Sequence, residues 1–552
     1  LEVAWKRDLG SGYSSVVVAD GRVIATFASG DADVMAAFST EDGEELWRYR
    51  FADTYVGHDG SHDGPISTPA IDGSTVVGFG PRGDLFALDT ATGKERWKID
   101  VIEKHAAKKP HYGFTSSPVI SDGVVVVALG GAEDNAFAGF SMKDGSLAWK
   151  LGEDSINYHS PVLATLGGKT QVLASGATTL HGIDPASGDI LWSHQHDGDQ
   201  SAMGGGTIVP IPAGDNRIFL MNKNDSSTMV RVTPGNDGYA IEELWSNNSL
   251  KTSYVIPAVR DGYIYGISGR ILTAVDAATG ERVWRSREPG DGFPTVVGDH
   301  LVIITKPGSL HVANASPDGY QEIASLDLFD DHSWSTVAFA DGHLFARSMG
   351  ELARIDAVSG AGGDDSGSGW LASTHFGQFL DGLGGEADKQ AAVEAFLAKQ
   401  DSFPIIEPNG AVHFVFRSGD AEDVGIVGDM IGFRREDPMT HVAGTDLFYF
   451  STRLEPDAAV SYGFLPAYAE QPIADPMNER PGPGLFGEVS FMTMPAWRGP
   501  SFDPKAEVKA GRMETVEWES AAREGAKRSA TVYLPAAYDA EADRRFPVLY
   551  VH

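Results

Sequence analysis

The stretch FALDTATGKERW, residues 86–97, decides the fold because the chain repeats it. HGIDPASGDILW (181–192) and TAVDAATGERVW (273–284) follow the same plan: a strand, a turn with Asp four residues before Gly, then a strand with Trp four residues after that Gly. Asp89, Asp184 and Asp276 are placed to accept backbone N–H groups inside the turn, while Gly93, Gly188 and Gly280 supply the positive φ that other residues resist. Looser copies run FSTEDGEELW (38–47), FSMKDGSLAW (140–149) and NDGYAIEELW (236–245), and a seventh, SPDGYQEI (316–323), has Ile323 where Trp would fall. These positions lie 39 to 53 residues apart, near the roughly 40 to 50 expected for one four-stranded propeller blade.

Ahead of the copies, pairs of strands flank a small turn, as in STPAIDGSTVVGFG (67–80), VIPAVRDGYIYGIS (255–268) and STVAFADGHLFARS (335–348). The last leads into ELARIDAVSG (351–360), which has the Asp356 and Gly360 turn but no tryptophan strand after it. AWKRDL (4–9), at the other end, has Trp5 and no partner before it. If that strand completes the final blade, residues 1–360 close into an eight-bladed β-propeller with no exposed edges. The tryptophans are then packing residues that lock neighbouring blades.

These residues resemble the pyrroloquinoline-quinone-like propeller repeat, found in quinoprotein alcohol dehydrogenases and in outer-membrane assembly factors of the BamB type. In the dehydrogenases the resemblance implies a vicinal disulfide over the quinone. This chain has no cysteine, so it cannot form one, and no cofactor is expected; a quinone-dependent oxidoreductase ranks last among the functional readings.

Charge narrows the partners. A formal net charge of −34 repels phosphate backbones and anionic lipid, which argues against nucleic acid. Acidic runs such as EDGEE (41–45) and GGDDSG (362–367) read as solvated turns and linkers. No apolar run reaches the about 20 residues of a membrane helix. A start at Leu1 fits a processed secreted protein or a fragment, the abrupt end at His552 favours a fragment, and a periplasmic or secreted location is expected.

The segments that cross from one blade to the next should converge around the channel mouth. They contain His58, Asp59, His62 and Asp63 (VGHDGSHDGP, 56–65), His111 and Tyr112, Tyr158 and His159, Tyr254, and His332 with Trp334, which together are the candidate ligand-binding residues. The first four suit a divalent metal, suit a polar ligand held by hydrogen bonds equally well, and are also ordinary turn formers.

Past Gly360, AGGDDSGSG (361–369) has linker composition, and two helical patterns follow within 361–402. Phe376, Phe379, Leu380 and Leu383 form one apolar stripe; Val393, Phe396 and Leu397 form another. Between 411 and 465 the period shifts to two, predicting a small antiparallel sandwich within 403–497. VGDMIGFRREDPMTHVAGTDLFYFSTRL resembles the early-set, immunoglobulin-like module that precedes glycogen-branching enzymes and enterochelin esterases, and ADPMNERPGPGLFGEVSFMTMPAW (474–497) resembles the segment joining that module to the esterase. In glucan-binding relatives the stretch after Gly-Asp ends in Asn-Gly-Trp; here it is Ile431, Gly432 and Phe433, which favours a structural or substrate-lid module.

VEWESAAREGAKRSATVYLPAAYDAEADRRFPVLYVH (516–552) resembles the opening of the esterase branch of α/β hydrolases, truncated within 498–552. The resemblance makes 546–551 an inner sheet strand and puts His552 where the oxyanion loop begins. The nucleophile elbow G-x-S-x-G and the rest of the triad would follow, so no catalytic residue is assigned in this chain; SGSG (366–369) lies in the linker, without the strand-turn-helix setting of a nucleophile. The sequence thus predicts a mainly β, extracytoplasmic protein whose parent is a serine carboxylic-ester hydrolase, with the propeller binding a small-molecule ester or an envelope protein. The alternative is a non-enzymatic propeller scaffold that docks an envelope partner.

Overall fold

The computed structural model describes the chain apart from residues 59, 132–134, 156–157, 197–208, 223–225, 237, 252, 269, 358–369, 433–435, 479, 483–488, 499–510, 521–525, 536–537 and 539–552. From Glu2 to Asp356 the strands assemble into eight four-stranded antiparallel sheets. Seven use consecutive strands: blade 1 (17–53), blade 2 (70–100), blade 3 (119–151), blade 4 (162–195), blade 5 (211–247), blade 6 (258–286) and blade 7 (292–327). Blade 8 takes three strands from 338–356 and its outer strand, Glu2–Asp8, from the opposite end of the chain, paired antiparallel with Glu351–Asp356. The innermost strand of blade 1 touches those of both blade 2 and blade 8. The sheets therefore stand around a common axis.

The middle strands are buried on both faces. In blade 2, Val76, Phe86 and Leu88 pack with Ile24, Met35 and Phe51 of blade 1, while Val77, Leu85 and Ala87 pack with Val125, Val127 and Phe140 of blade 3. Alternate residues go to alternate seams, so both parities are apolar and the strand reads as an unbroken hydrophobic run.

The repeated turn does two jobs. Asp89 accepts the Thr92 N–H at 3.0 Å, and Asp276 accepts those of Ala278 at 2.8 Å and Thr279 at 2.9 Å. Gly93 holds φ at +67°, and a Cβ there would lie 2.6 Å from the Trp47 indole of blade 1. The Trp47 Nε1–H donates to the Thr90 carbonyl at 2.9 Å. Trp97, Trp149, Trp245 and Trp284 bond the carbonyls of Met142, Pro185, Ala277 and Ser316 in the same way. Each tryptophan thus grips the turn of the next blade. Trp192 departs from the pattern and donates to Gln171 Oε1 of its own blade at 2.7 Å.

Closure uses the same device. Trp5 donates to the Thr40 carbonyl at 3.1 Å and its ring covers Gly43 of blade 1. Arg347 of blade 8, 2% exposed, donates to the carbonyls of Thr26 at 2.8 Å and Gly10 at 2.9 Å. Burial pushes this guanidinium down to about 10, and uncharged oxygens, the carbonyls of Thr26, Gly10 and Ser348 and the Ser14 hydroxyl, hold its charge.

Residues 405–493 form two further four-stranded antiparallel sheets. Val412, Phe414 and Phe416 of one face Ile426, Tyr462 and Phe464 of the other. The helices His375–Gly382 and Lys389–Leu397, N-capped by Thr374 and Asp388, cover the outer side of the first sheet, where Phe376, Val393 and Phe396 meet Val415 and Leu447. Asp475 and Asn478, landmarks in the sequence, belong to a buried network: the Tyr462 hydroxyl donates to Asp475 at 2.6 Å and accepts from Asn478 at 3.0 Å. Their role is to pin the loop onto the sandwich.

This unit sits against blade 6. Arg287, 4% exposed, donates to Asp423, to Glu436 at 2.6 Å and to the Leu465 carbonyl at 2.9 Å. Tyr468 lies under Arg285, whose guanidinium carbon is 4.0 Å from the ring centroid. Arg512–Ser520 and Ala526–Leu534 make a hairpin. The strand expected at 546–551, His552 and the SGSG stretch lie outside the described residues.

Candidate functional site

The crossings from each outer strand to the next inner strand all emerge on one face of the ring. Six of the eight carry a tyrosine or tryptophan: Tyr13, Tyr55, Tyr112, Tyr158, Tyr254 and Trp334. Below them runs a chain of hydroxyls. The Ser15 N–H donates to Thr68 Oγ1 at 3.0 Å, Thr68 N–H to Ser117 Oγ at 3.0 Å, and Ser117 N–H to Ser160 Oγ at 2.9 Å. Ser15 Oγ reaches back to Thr336 Oγ1 at 2.9 Å. Five of the eight crossings are thereby fixed to a neighbour, which gives the aromatics on them a common base.

Two clusters form on that base. In the first, His58 stacks on Tyr112 at 5.0 Å, His111 stands edge-on to both at 4.6 and 4.8 Å, and Tyr158 lies 5.8 Å from Tyr112. Arg82 donates to the Thr54 carbonyl at 3.0 Å and sits 5.7 Å from the Tyr55 ring, which Lys109 approaches to 6.0 Å. In the second, Tyr13 lies 6.3 Å from His62 and 6.4 Å from Trp334, and Lys306, ion-paired with Asp291 at 2.6 Å, covers Trp334 at 4.5 Å. Burial raises the Tyr13, Tyr55 and Tyr158 phenols above their ordinary range, so they remain protonated donors. Beneath Tyr55 is Asp33, 0% exposed; it accepts the Tyr55 N–H at 3.1 Å, and burial pushes its carboxyl up to about 6.

The sequence candidates divide accordingly. His58, His111, Tyr112 and Tyr158 come together, with Tyr254 exposed at 58%. His62 instead joins Tyr13, and Trp334 the same group. Asp63 turns into its own loop and accepts the Gly57 N–H at 2.7 Å. His332 is exposed, with its N–H on Asp331 at 2.7 Å. Asp59 lies outside the described residues. His159 is a correction: at 2% exposure, with Nδ1 3.2 Å from the Ser175 carbonyl, it is a packing residue, and burial pushes it down to about 4. It offers no surface to a ligand.

His58 and His62 point into different clusters, and among the described residues no three His, Asp or Glu side chains converge as metal ligands. The quinone fits no better, since without cysteine the disulfide that would cover it cannot form.

Four contributors escape a reading of the sequence. Tyr13 is recognisable as a crossing residue only once Trp5 has closed the ring. Tyr55 stands just before the histidine-rich segment. Arg82 lies in the turn between the second and third strands of blade 2, and Lys109 is one residue from the quoted His111 pair. A position within the crossing, not a motif, is their common signal. A polar cleft of about 510 Å³ also opens between blades 4 and 5, the seam Trp192 does not bridge, lined by His194, Thr228 and Glu243 among others.

Comparison with known proteins places this ring. The family described as outer membrane protein assembly factor BamB matches residues 30–285 and 267–362. BamB of Yersinia pestis is 23% identical over 294 residues, 50% of this chain and 70% of that protein. The quinohemoprotein alcohol dehydrogenase ADH-IIG of Pseudomonas putida is 25% identical over 316 residues, covering 56% of this chain but only 37% of the dehydrogenase. The crystal structure of BamB from Moraxella catarrhalis aligns with 66% of this chain and 99% of its own at 17% identity and a TM-score of 0.48. Through its propeller, the chain belongs to the outer membrane protein assembly factor BamB family.

Proposed function

We propose that this chain is a partner-binding propeller of the bacterial envelope, serving outer-membrane protein assembly by docking and not by catalysis. The observation that carries this reading is the single face on which six crossings carry tyrosine or tryptophan, Tyr254 and Trp334 exposed, Tyr13, Tyr112 and Tyr158 half-buried and Tyr55 buried, with five of the eight crossings joined by hydroxyl hydrogen bonds. Aromatics at least partly open to solvent on hydrogen-bonded loops, as all of these but Tyr55 are, are what protein interfaces use as anchors. Membership of the BamB family supports both the process and a place in the bacterial envelope. No described helix is long and apolar enough to cross a membrane.

The unit at 405–493 is then an immunoglobulin-like accessory module, fixed beside the docking face by Arg287. The ester-hydrolase expectation for 498–552 draws no support from the family match, which ends at residue 362.

Deleting the gene should lower the amount of folded outer-membrane β-barrel protein. The wild-type chain should restore it, and a chain with Tyr112→Ala and Tyr158→Ala should not. Unchanged β-barrel levels in the deletion strain would overturn the reading.

A further inference from the structure

The chain carries a net charge of −34, so two exposed cations left without carboxylates stand out. Arg82 and Lys109 are such a pair: both are exposed, both approach the Tyr55 ring, and no described carboxylate comes within ion-pair distance of either. Of the described acids nearby, two are engaged elsewhere and Asp33 faces Arg82 from below without reaching ion-pair distance. Asp84 is paired with Lys98 at 2.9 Å, Asp63 accepts the Gly57 N–H, and Asp33 is buried under Tyr55. Next to the cations lies the stacked surface of His58 and Tyr112.

The opposite mouth of the ring carries acids of its own: the hairpins between first and second strands hold exposed aspartates in seven of the eight blades, Asp20, Asp122 and Asp341 among them, and Asp215, Asp261 and Asp299 are paired there with Arg217 and Arg260.

We propose that Arg82, Lys109, Tyr55 and the His58–Tyr112 stack form a binding site for a short acidic segment of a partner protein. A carboxylate of the segment bridges the two cations above Tyr55, and an adjacent apolar side chain lies on Tyr112. A carboxylate between a guanidinium and an ammonium gains charge-assisted hydrogen bonds; Tyr55 is buried beneath the cations, so the apolar area that exposed ion pairs lack comes from the half-buried His58–Tyr112 stack. An anionic membrane is the less suitable occupant, because approaching it would bring the whole acidic chain against a negative surface. The proposal rests on the partner-binding reading above and names the chemistry of the partner.

The test uses the purified chain and a short fluorescein-labelled peptide of Asp, Glu and Leu. Beside it run the same peptide with Asn and Gln replacing the acids, and phosphatidylglycerol vesicles. Fluorescence anisotropy should show binding of the acidic peptide alone, weakened as salt shortens the Debye length from about 10 Å at 0.1 M to about 3 Å at 1 M. Arg82→Glu with Lys109→Glu, and the milder Arg82→Gln with Lys109→Gln, should weaken it about tenfold or more, the equivalent of roughly 1.4 kcal/mol. Lys94→Glu with Lys143→Glu, on the opposite face, should leave it unchanged, and every variant should keep the wild-type melting temperature. Equal binding of the neutral peptide, capture by vesicles instead, no binding at all, or indifference to both Arg82/Lys109 pairs would overturn the proposal. Because the measurement is on the purified chain, its failure leaves the β-barrel assay to judge the broader reading.

Discussion

Asp33 shows how a single carboxyl can work against the fold that holds it. It is fully buried and accepts only the Tyr55 N–H through one oxygen, and burial raises it from 3.8 to about 6. The unfolded chain releases this proton as pH rises through 3.8, while the folded chain keeps it until about 6. Folding is therefore unpenalised below the lower value and increasingly penalised between the two, by about 2–3 kcal/mol above both. Asp33→Asn keeps an oxygen for Tyr55 and removes the charge. Urea unfolding should show it more stable than wild type by about 1–3 kcal/mol at neutral pH, with the advantage gone below about pH 4. Nothing in the sequence separates Asp33 from the other aspartates, because its burial comes from blade packing. His159 misleads for the same reason: it has a ligand-like residue type in a crossing, yet the chain folds over it.

At the scale of elements, the unit of stability is the seam between two blades. Trp5 and Gly43 make the one seam that joins the ends of the ring, and the Trp5 cluster mixes Phe345 and Leu352 of blade 8 with Val23, Phe27 and Val34 of blade 1. Trp5→Ala should cost about 3–5 kcal/mol. Gly43→Ala should cost about 1–3 kcal/mol, since φ there is +73° and a Cβ would meet the indole at 2.8 Å. Denaturant midpoints measure both, and losses below about 1 kcal/mol in each would mean the closing seam is no stronger than a frayed edge. These seams were legible. The Trp and Gly spacings survive in the sequence because the same contact is made over and over, and the spare strand at AWKRDL and the incomplete blade at ELARID do pair. The hydroxyl chain was less so: Thr68, Ser117 and Ser160 each precede a proline, but a serine before proline is too common in loops to signal a ring.

For the whole molecule the decisive contact is Arg287. It is tied to Asp423, Glu436 and Leu465 across 136 or more residues of sequence. Arg287→Ala leaves two carboxylates facing each other in a buried contact, at an expected cost to docking of about 3–5 kcal/mol. The propeller has its own core, so it should still unfold near the wild-type midpoint, while small-angle scattering should report a larger radius of gyration. An unchanged scattering curve would show that Tyr468 and the other contacts suffice alone. Arg287 follows a tryptophan strand and looks like any charged loop residue until the second unit is in place.

The sequence by itself determined the wheel: four-stranded blades, their spacing, and the strand that closes them. A repeated structure repeats its local chemistry, and each turn needs its Asp, its Gly and the Trp that covers it. The tertiary structure alone decided which side chains gather on the crossing face. Tyr55, Arg82 and Lys109 come from two crossings and a turn, and their meeting depends on where the ring delivers each loop, a matter of distance in space that no spacing along the chain records.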